Sequence, residues 1–233
     1  MVLDAKVSVV LPAFNEGPFI EKAIRKAKAL RNASEVIIVD GGSTDDTVQR
    51  AIKAGAKVIH QTWVKYPGKG IAMRDAAEYA TGDIVAYMDA DIMNIETEMI
   101  NKLIDPLIRD EADFVKGSFG REAGRVTELV AKPLLKLFFP EYAHYSQPLS
   151  GEIAGRCEVF KSVKFEEDWG VDVGLLIDIA LRGFRIKEVD IGFKRHDMKP
   201  LVELGDMAQQ VAKAIIKRAV ENGRLQKMYK KRR

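Results

Sequence analysis

The sequence predicts an α/β fold, in which a Rossmann-like, mostly parallel central sheet carries helices on both faces. Short, continuous apolar runs alternate with amphipathic stretches of helical spacing through the first half of the chain. Such runs are typical of strands buried on both faces, and the β-α-β-α order favours parallel strands joined by right-handed crossovers. A hydrophobic content of 47% in 233 residues is sufficient for a sizeable core.

The first half predicts four strands, each followed by a helix. The strands are expected at residues 7–11, 35–40, 57–60 and 83–88. The helices are expected at residues 20–30, 69–80 and 96–109, and between a cap at Ser43 or Thr44 and the closing Gly55, with Asp45 and Asp46 in the first turn.

The second half is less regular. It predicts strands at residues 114–116 and 184–193, helices at 126–138 (interrupted near Pro133), 171–181 and 203–229, and a Gly-rich loop at 147–156. We expect a single domain over residues 1–233. Its parts are a nucleotide-sugar-binding half to about 118, an acceptor-binding half over about 119–205, and a basic C-terminal helix and tail over about 206–233.

Composition argues against several classes of protein. The formal net charge is only +3, which does not favour a nucleic-acid binder. Cys157 is the single cysteine, so no intrachain disulfide can form and a reducing compartment is the default. No apolar run approaches the roughly 20 residues of a spanning helix, and the N-terminal stretch is too acidic for a secretion signal. These features predict a cytoplasmic protein.

Polar side chains cluster where the predicted strands end. Asn15 and Glu16 follow the first strand, Asp40 ends the second, and Asp89 and Asp91 follow the fourth. Because ligands bind at the carboxyl ends of strands in open parallel sheets, we expect these side chains to converge on one site.

The Asp89-Ala90-Asp91 triplet is the sharpest local signal. Paired carboxylates suit Mg²⁺ or Mn²⁺, and both ions also bind diphosphate oxygens. His196 follows the last predicted strand, where an imidazole could serve as a further ligand and would favour Mn²⁺. The turn after the first strand lacks both the G-x-G-x-x-G and the G-x-x-x-x-G-K-[ST] pattern, which argues against a dinucleotide oxidoreductase and a P-loop ATPase.

Several longer segments resemble one family of enzymes. The donor half resembles glycosyltransferases of the A-type (GT-A) fold, and the later segments resemble glucosyl-3-phosphoglycerate synthases, including relatives that transfer mannose. The resemblance runs from about residue 7 to about residue 212. It rests on VVLPAFNE, VDGGSTDDT, GKGIAMRDA, DADI, FVKGSFGREAGRVTELVAKPLL, QPLSGEIAGR, WGVDVGLLIDIALRG and VDIGFKRHDMKPLVELGDMA.

The resemblance implies roles for residues that match the family's motifs. The expected nucleotide-sugar contacts are Pro12, Ala13, Asn15, Glu16, Asp40, Lys69 and Asp89. The expected metal ligands are Asp91 and His196, with Asp89 close by or on a metal-bound water. The expected acceptor contacts are Gly124, Arg125 and Thr127, and the candidate catalytic residues are Asp91, Glu152 and Asp172.

The chain departs from the family's pattern at four places. Gly41 replaces a Ser, Ala90 replaces the middle Ser of the triplet, Asp172 replaces a Glu, and Met198 replaces an Asn. The change at 41 removes one possible nucleotide contact, and the changes at 172 and 198 bear on sugar and acceptor identity. Lys116 and Arg121 could add to the acceptor site, although solvated charge is the simpler expectation for both.

The resemblance implies a metal-dependent hexosyl transfer to 3-phosphoglycerate with retention of anomeric configuration, in compatible-solute synthesis, by a homodimer. UDP-glucose, GDP-glucose and GDP-mannose are the candidate donors. Three alternatives stay open: transfer to a polyprenyl phosphate or other phosphorylated acceptor, a non-catalytic nucleotide-sugar-binding module, and a nucleotidyltransferase. The basic tail at residues 227–233 favours the polyprenyl alternative, because such tails bind anionic lipid.

Overall fold

The computed structural model describes residues 4–63, 68–120, 124–196 and 200–225. Within these ranges seven strands form one sheet. They are β1 (Val7–Ala13), β2 (Ala33–Asp40), β3 (Lys57–His60), β4 (Ile84–Tyr87), β5 (Phe114–Ser118), β6 (Ile153–Arg156) and β7 (Ile186–Asp190).

In the first half of the chain the helices alternate with the strands, as the sequence predicts. The α-helices are α1 (Gly17–Lys28), α2 (Thr47–Lys53), α3 (Lys69–Tyr79), α4 (Thr97–Ile108), α5 (Lys132–Phe138), α6 (Cys157–Ser162), α7 (Val171–Leu181) and α8 (Leu204–Glu221). A π-helix (Thr127–Ala131) leads into α5, and short 3-10 turns cover Pro140–Tyr142 and Leu201–Glu203.

The strand order is β3-β2-β1-β4-β6-β5-β7. The first four strands run parallel, β7 runs parallel to β5, and β6 is antiparallel to both β4 and β5. The predicted fold class, a mostly parallel sheet, is therefore confirmed. The prediction of a loop over residues 147–156 was wrong at its end, because the IAGR segment pairs with two strands in the middle of the sheet.

Both faces of the sheet are covered, as a parallel sheet requires. Val9 and Leu11 of β1 face a core formed with α1 and α4, while Val10 faces a second core formed with α3, α6 and α7. A third apolar cluster joins the π-helix, α5 and α8 to the far side of α7. The sheet thus holds its strand ends rigidly along one edge.

The predicted cap of the second helix was wrong. Helix α2 begins at Thr47 rather than after Ser43 or Thr44. Ser43 Oγ accepts a hydrogen bond from the Asn15 N–H at 3.0 Å, and the Thr44 N–H donates to Asn15 Oδ1 at 2.9 Å. Asn15 holds a left-handed backbone with φ of 58°, which asparagine tolerates better than most residues. These residues tie the loops after β1 and β2 together instead of starting a helix.

The predicted interruption near Pro133 is confirmed in a specific form. The π-helix ends at Ala131 and α5 begins at Lys132 with Pro133 in its first turn, so the change of helix type coincides with the residue that lacks an N–H group. The predicted bounds of α7 agree with the structure, and α8 is described to its end at Glu221. No helix among the described residues is long and apolar enough to span a membrane.

Arg218 fixes the third cluster to the rest of the fold. Its side chain is only 3% exposed, and its guanidinium donates to both carboxylate oxygens of Asp178 on α7, at 2.8 and 2.6 Å. It also donates to Glu166 at 2.8 Å. Because a buried guanidinium requires these partners, α8 is held in one position against α7.

We expect Arg218→Met to lower the free energy of unfolding by about 3 kcal/mol, because it leaves two carboxylates without their buried partner. Chemical denaturation monitored by circular dichroism measures this. The matched control is Lys217→Met, which removes an exposed partner of Glu166 and should cost less than about 1 kcal/mol. Equal losses in the two variants would contradict the assigned role of Arg218.

Candidate active site

The carboxyl ends of the parallel strands open into one cavity of about 510 Å³. That size suits a ligand of the dimensions of a nucleotide sugar or a smaller molecule. The cavity is lined by most of the predicted site residues, namely Pro12, Ala13, Glu16, Lys69, Asp89, Asp91, Gly124, Arg125, Thr127, Asp172 and His196. Sequence positions 12 to 196 are thus brought together by the strand order.

Three predicted site residues, Asn15, Asp40 and Glu152, are not among the residues that line this cavity. Asp40 is buried, and its carboxylate accepts hydrogen bonds from the N–H groups of Gly42 and Ser43 at 3.1 and 3.0 Å. Asn15 joins the same loops, and Glu152 is fully buried beneath Lys194. Direct contact of Asn15, Asp40 or Glu152 with a ligand stays a prediction. In the structure, Asn15 and Asp40 hold the loops after β1 and β2, and Glu152 holds Lys194.

The floor of the cavity is a chain of alternating charges centred on Asp89. Lys69 Nζ lies 3.1 Å from Asp89 Oδ1, and Lys194 Nζ lies 2.8 Å from Asp89 Oδ2. Burial would raise the pKa of Asp89, but the two ammonium groups hold it well below its ordinary value. Asp89 is therefore ionised and fixed in orientation at neutral pH.

The chain of charges extends to a further carboxylate on each side. Lys194 Nζ also lies 2.5 Å from Glu152 Oε1, and Lys69 Nζ lies 3.2 Å from Asp172 Oδ2. Burial raises the pKa of Glu152 and of Asp172, and the neighbouring lysines only partly offset this effect. The four groups with Asp89 form one buried network, so the position of each depends on the others.

Asp91 and Asp172 each present an unused acceptor atom. Their Oδ1 atoms are buried and have no hydrogen-bond partner within the described ranges. Buried polar atoms are nearly always satisfied, so such an atom in a cavity wall indicates a ligand or an ion. Asp172 Oδ1 is suited to accept a hydrogen bond from a hydroxyl group.

The residues present fit a divalent cation. Burial, together with the charge of Asp89, raises the pKa of Asp91 to about 6, and burial with Asp91 and Asp89 raises the pKa of Glu16 to about 7. A cation would relieve this crowding of negative charge. His196 lines the same cavity.

No three His, Cys, Asp or Glu side chains in the described part of the chain are gathered to hold an ion alone. Asp91 and His196 would therefore supply a partial ligand set, which suits a metal that also binds substrate oxygens. Both oxygens of Asp89 are already engaged by lysines, so its predicted part in metal binding is that of a neighbour.

A further part of the cavity wall carries the predicted acceptor residues. Gly124 precedes a helical segment that begins at Arg125 and continues into the π-helix, so its first N–H groups are free of helical partners. Arg125 is exposed, whereas Thr127 is buried, and both line the cavity. Exposed guanidinium and helix N–H groups suit a phosphate or carboxylate. Arg121 and Met198 lie outside the described residues.

Several residues of the site were not expected from the sequence. Lys194 was missed, although its place two residues before His196 at the end of a strand was a usable signal. Trp169 also lines the cavity, and Lys69 Nζ lies 5.8 Å from the centroid of its ring. The expectation of solvated charge at Lys116 was wrong, because the side chain is fully buried and its Nζ donates to the Ser150 carbonyl at 2.9 Å.

Comparisons with known proteins agree with this geometry. The model of glycosyl transferase family 2 matches residues 8–169. The glucosyl-3-phosphoglycerate synthase of Mycolicibacterium smegmatis is 38% identical over 235 residues, which cover 91% of this chain and 77% of that protein. The synthase of Petrotoga mobilis is 35% identical over 246 residues, covering 95% of this chain and 76% of that protein.

A solved structure of the Mycobacterium tuberculosis glucosyl-3-phosphoglycerate synthase, in complex with Mn²⁺, UDP-glucose and phosphoglyceric acid, is also similar. It superposes with a TM-score of 0.86 at 39% sequence identity. The match covers 92% of this chain and 80% of that one. The structural match therefore extends over nearly the whole chain.

We expect Asp91→Asn and Asp89→Asn to have opposite effects on the metal-free protein. Asp91 has a raised pKa, so its contribution to stability is lost as pH rises from its ordinary 3.8 through about 6. Asp91→Asn should leave the unfolding midpoint at pH 7.5 unchanged or raised. Asp89→Asn removes the charge between two buried lysines and should cost about 3 kcal/mol.

Thermal unfolding at pH 4.5 and 7.5 measures the stabilities, and calorimetric titration with Mn²⁺ measures metal binding. Asp91→Asn should abolish Mn²⁺ binding despite its intact fold. Retained Mn²⁺ affinity in Asp91→Asn would exclude this residue as a ligand, and an unchanged midpoint in Asp89→Asn would contradict the pairing described above.

Proposed function

The chain belongs to glycosyltransferase family 2, among the glucosyl-3-phosphoglycerate synthases, and from this we propose that it transfers glucose from a nucleoside-diphosphate glucose to 3-phosphoglycerate with a divalent metal ion. The observation that carries the proposal is the cavity itself. The carboxylates that follow β4 and the exposed guanidinium of Arg125 line this same cavity, which supports the proposal. A metal-bound donor diphosphate and an anionic acceptor require these two chemistries within one site.

UDP-glucose is the donor that we propose, with Mn²⁺ or Mg²⁺. Its support is the similar solved enzyme, which was obtained with Mn²⁺, UDP-glucose and phosphoglyceric acid. We assign the nucleotide sugar to the half up to about residue 118 and the acceptor to residues of about 119–205. Transfer from GDP-glucose or GDP-mannose, and assembly as a homodimer, stay predictions.

The donor is held by groups that the network has already oriented. Pro12, Ala13 and Glu16 contribute the β1 end of the cavity, where we place the nucleoside. Asp172 Oδ1 has no protein partner among the described residues and would accept a hydrogen bond from a sugar hydroxyl. Lys69 fixes Asp172 and Asp89 at once, so the sugar site and the diphosphate site keep a constant separation.

A divalent ion held by Asp91 and His196 would supply positive charge against the departing diphosphate. On the protein side, Arg125 and the Gly124–Thr127 backbone would orient the acceptor so that its hydroxyl faces the sugar C1 atom. The bond from C1 to the diphosphate oxygen breaks, the acceptor hydroxyl oxygen bonds to C1, and its proton passes to the diphosphate. Attack from the face that the diphosphate leaves retains the anomeric configuration.

Incubation of the purified protein with Mn²⁺, 3-phosphoglycerate and each of the three donors tests the proposal. We expect a glucosyl-phosphoglycerate adduct by mass spectrometry with UDP-glucose, and its loss on addition of a chelator. Nuclear magnetic resonance of the anomeric proton should show an α product. Donor hydrolysis without an adduct would reject 3-phosphoglycerate as the acceptor, and a β product would reject retention.

The acceptor wall has its own test in Arg125→Met. We expect KM for 3-phosphoglycerate to rise by about 10- to 100-fold, because a charge-assisted hydrogen bond is lost, while the unfolding midpoint stays unchanged. Lys136→Met, which changes an exposed cation on α5 outside the cavity, is the matched control. Steady-state kinetics at varied 3-phosphoglycerate concentration measure both variants. An Arg125→Met variant that keeps the wild-type KM, as the Lys136→Met control should, would refute the assignment.

A further inference from the structure

Lys116 is a buried cation that the proposed reaction does not use. It lies in β5, opposite Ile153 of β6, and its side chain is fully buried. Its Nζ donates to the carbonyl oxygen of Ser150 at 2.9 Å. Burying an ammonium group costs a great deal of free energy unless nearby groups compensate for it. Its position therefore requires an explanation in the site around it.

The segment that Lys116 holds carries Glu152. Ser150 Oγ donates to Glu152 Oε2 at 2.9 Å, and the Gly117 N–H donates to the Glu152 carbonyl at 2.8 Å. Between them, Gly151 approaches Asp89 so closely that an added Cβ atom would lie 2.6 Å from Asp89 Oδ1. The Ser150–Glu152 segment is thus the part of the cavity floor that packs closely against the Asp89 carboxylate.

Lys116 also balances the charge of that floor. Asp89, Glu152 and Asp172 contribute three negative charges, and Lys69 and Lys194 contribute two positive charges. The sum of these five groups is −1 when all are ionised. Protonated Lys116 brings the buried set to zero.

We propose that Lys116 is a positioning residue for sugar transfer, which fixes the Ser150–Glu152 segment and keeps the buried carboxylates beside it ionised. This inference rests on the proposed function, because the segment that Lys116 holds packs against Lys69 and Asp89, and Lys69 in turn holds Asp172 in the cavity that we assign to the donor. Lys116 itself touches neither the cavity nor, therefore, the substrates.

The protonation of Lys116 gives the proposal a distinctive signature. Burial lowers the pKa of its ammonium group to about 8. The groups that face it are Asp172 from α7, Glu152 before β6 and Glu188 from β7, which favour the charged form, and Lys69 from α3, which opposes it. Above pH 8 the amine becomes neutral, the floor carries excess negative charge, and the geometry around Asp172 relaxes.

Two variants separate charge from shape. Lys116→Met keeps an unbranched side chain one atom shorter but removes both the charge and the hydrogen bond, and Lys116→Arg keeps a charge that does not titrate below pH 12. Lys187→Met, which removes an exposed lysine of β7 that pairs with Glu111, is the control. Unfolding midpoints and circular dichroism establish that each variant is folded.

We expect the wild-type kcat to fall above about pH 8 and the Lys116→Arg profile to keep its activity to higher pH. Lys116→Met should show kcat reduced by about tenfold or more at pH 7.5, with no inflection near pH 8. Steady-state kinetics from pH 6.5 to 9.5 under saturating substrates measure these profiles. Wild-type kcat in Lys116→Met, or a loss no larger than its loss of folded protein, would overturn the proposal. If Lys116→Arg does not fold, the Lys116→Met profile decides alone.

A second readout keeps this test separate from the identity of the acceptor. Calorimetric titration with UDP-glucose and Mn²⁺ at pH 7.5 and 9 reports on the donor site alone. We expect wild-type affinity to weaken at pH 9 more than that of Lys116→Met, which should be weak at both values. If the wild-type protein glycosylates no acceptor, the proposed function is rejected. If wild type and Lys116→Met bind UDP-glucose with equal affinity at both pH values, the role of Lys116 is rejected.

Discussion

The site depends on Asp89 lying between two buried lysines. A carboxylate at the end of a central strand, with Lys69 on one oxygen and Lys194 on the other, is the point where α3, β4 and the segment after β7 meet. A buried charge is tolerated only when it is paired, so each of these elements is held in the one position that provides a partner. Among the described residues no partner donates to Oδ1 of the adjacent Asp91, which explains why its carboxylate remains available to a metal.

The same arrangement explains how a cavity with many acids can bind an anionic donor. The three buried carboxylates Asp89, Asp172 and Glu152 are balanced from within the protein by Lys69, Lys194 and protonated Lys116. The remaining negative charge is concentrated at Asp91 and Glu16, whose raised pKa values reflect that crowding. We therefore expect anion binding to depend on the metal-loaded site and on Arg125, while the buried acids maintain the shape of the cavity.

The strand pattern predicted the fold class and a convergence of strand-end polar residues, of which Glu16, Asp89 and Asp91 line the cavity. The family resemblance added Asp172 and Arg125, which line it as well. Acids at strand ends and long segments that resemble a family can be recognised in the sequence itself, without knowledge of tertiary contacts. The sequence did not predict the burial of Lys116 or the pairing of Lys194, because a single lysine in a short strand looks the same whether it meets water or a distant carboxylate. The prediction of a helix cap at Ser43 was wrong for the same reason. The Ser43 hydroxyl oxygen accepts instead from the N–H of Asn15, which lies 28 residues away in the sequence.

The position of β6 has a consequence for how the chain acquires its structure. This four-residue strand is inserted between β4 and β5, so the hydrogen-bonding edge of β4 stays open until residues 153–156 have been synthesised. The first half of the chain, to about residue 118, therefore cannot complete its sheet during translation ahead of the second half, and a fragment that ends near residue 118 would expose an unpaired strand edge. Such long-range pairing raises contact order and slows folding. The two halves should accordingly be inherited and engineered together, and exchange of one half between relatives would succeed only if β6 travels with a compatible β4.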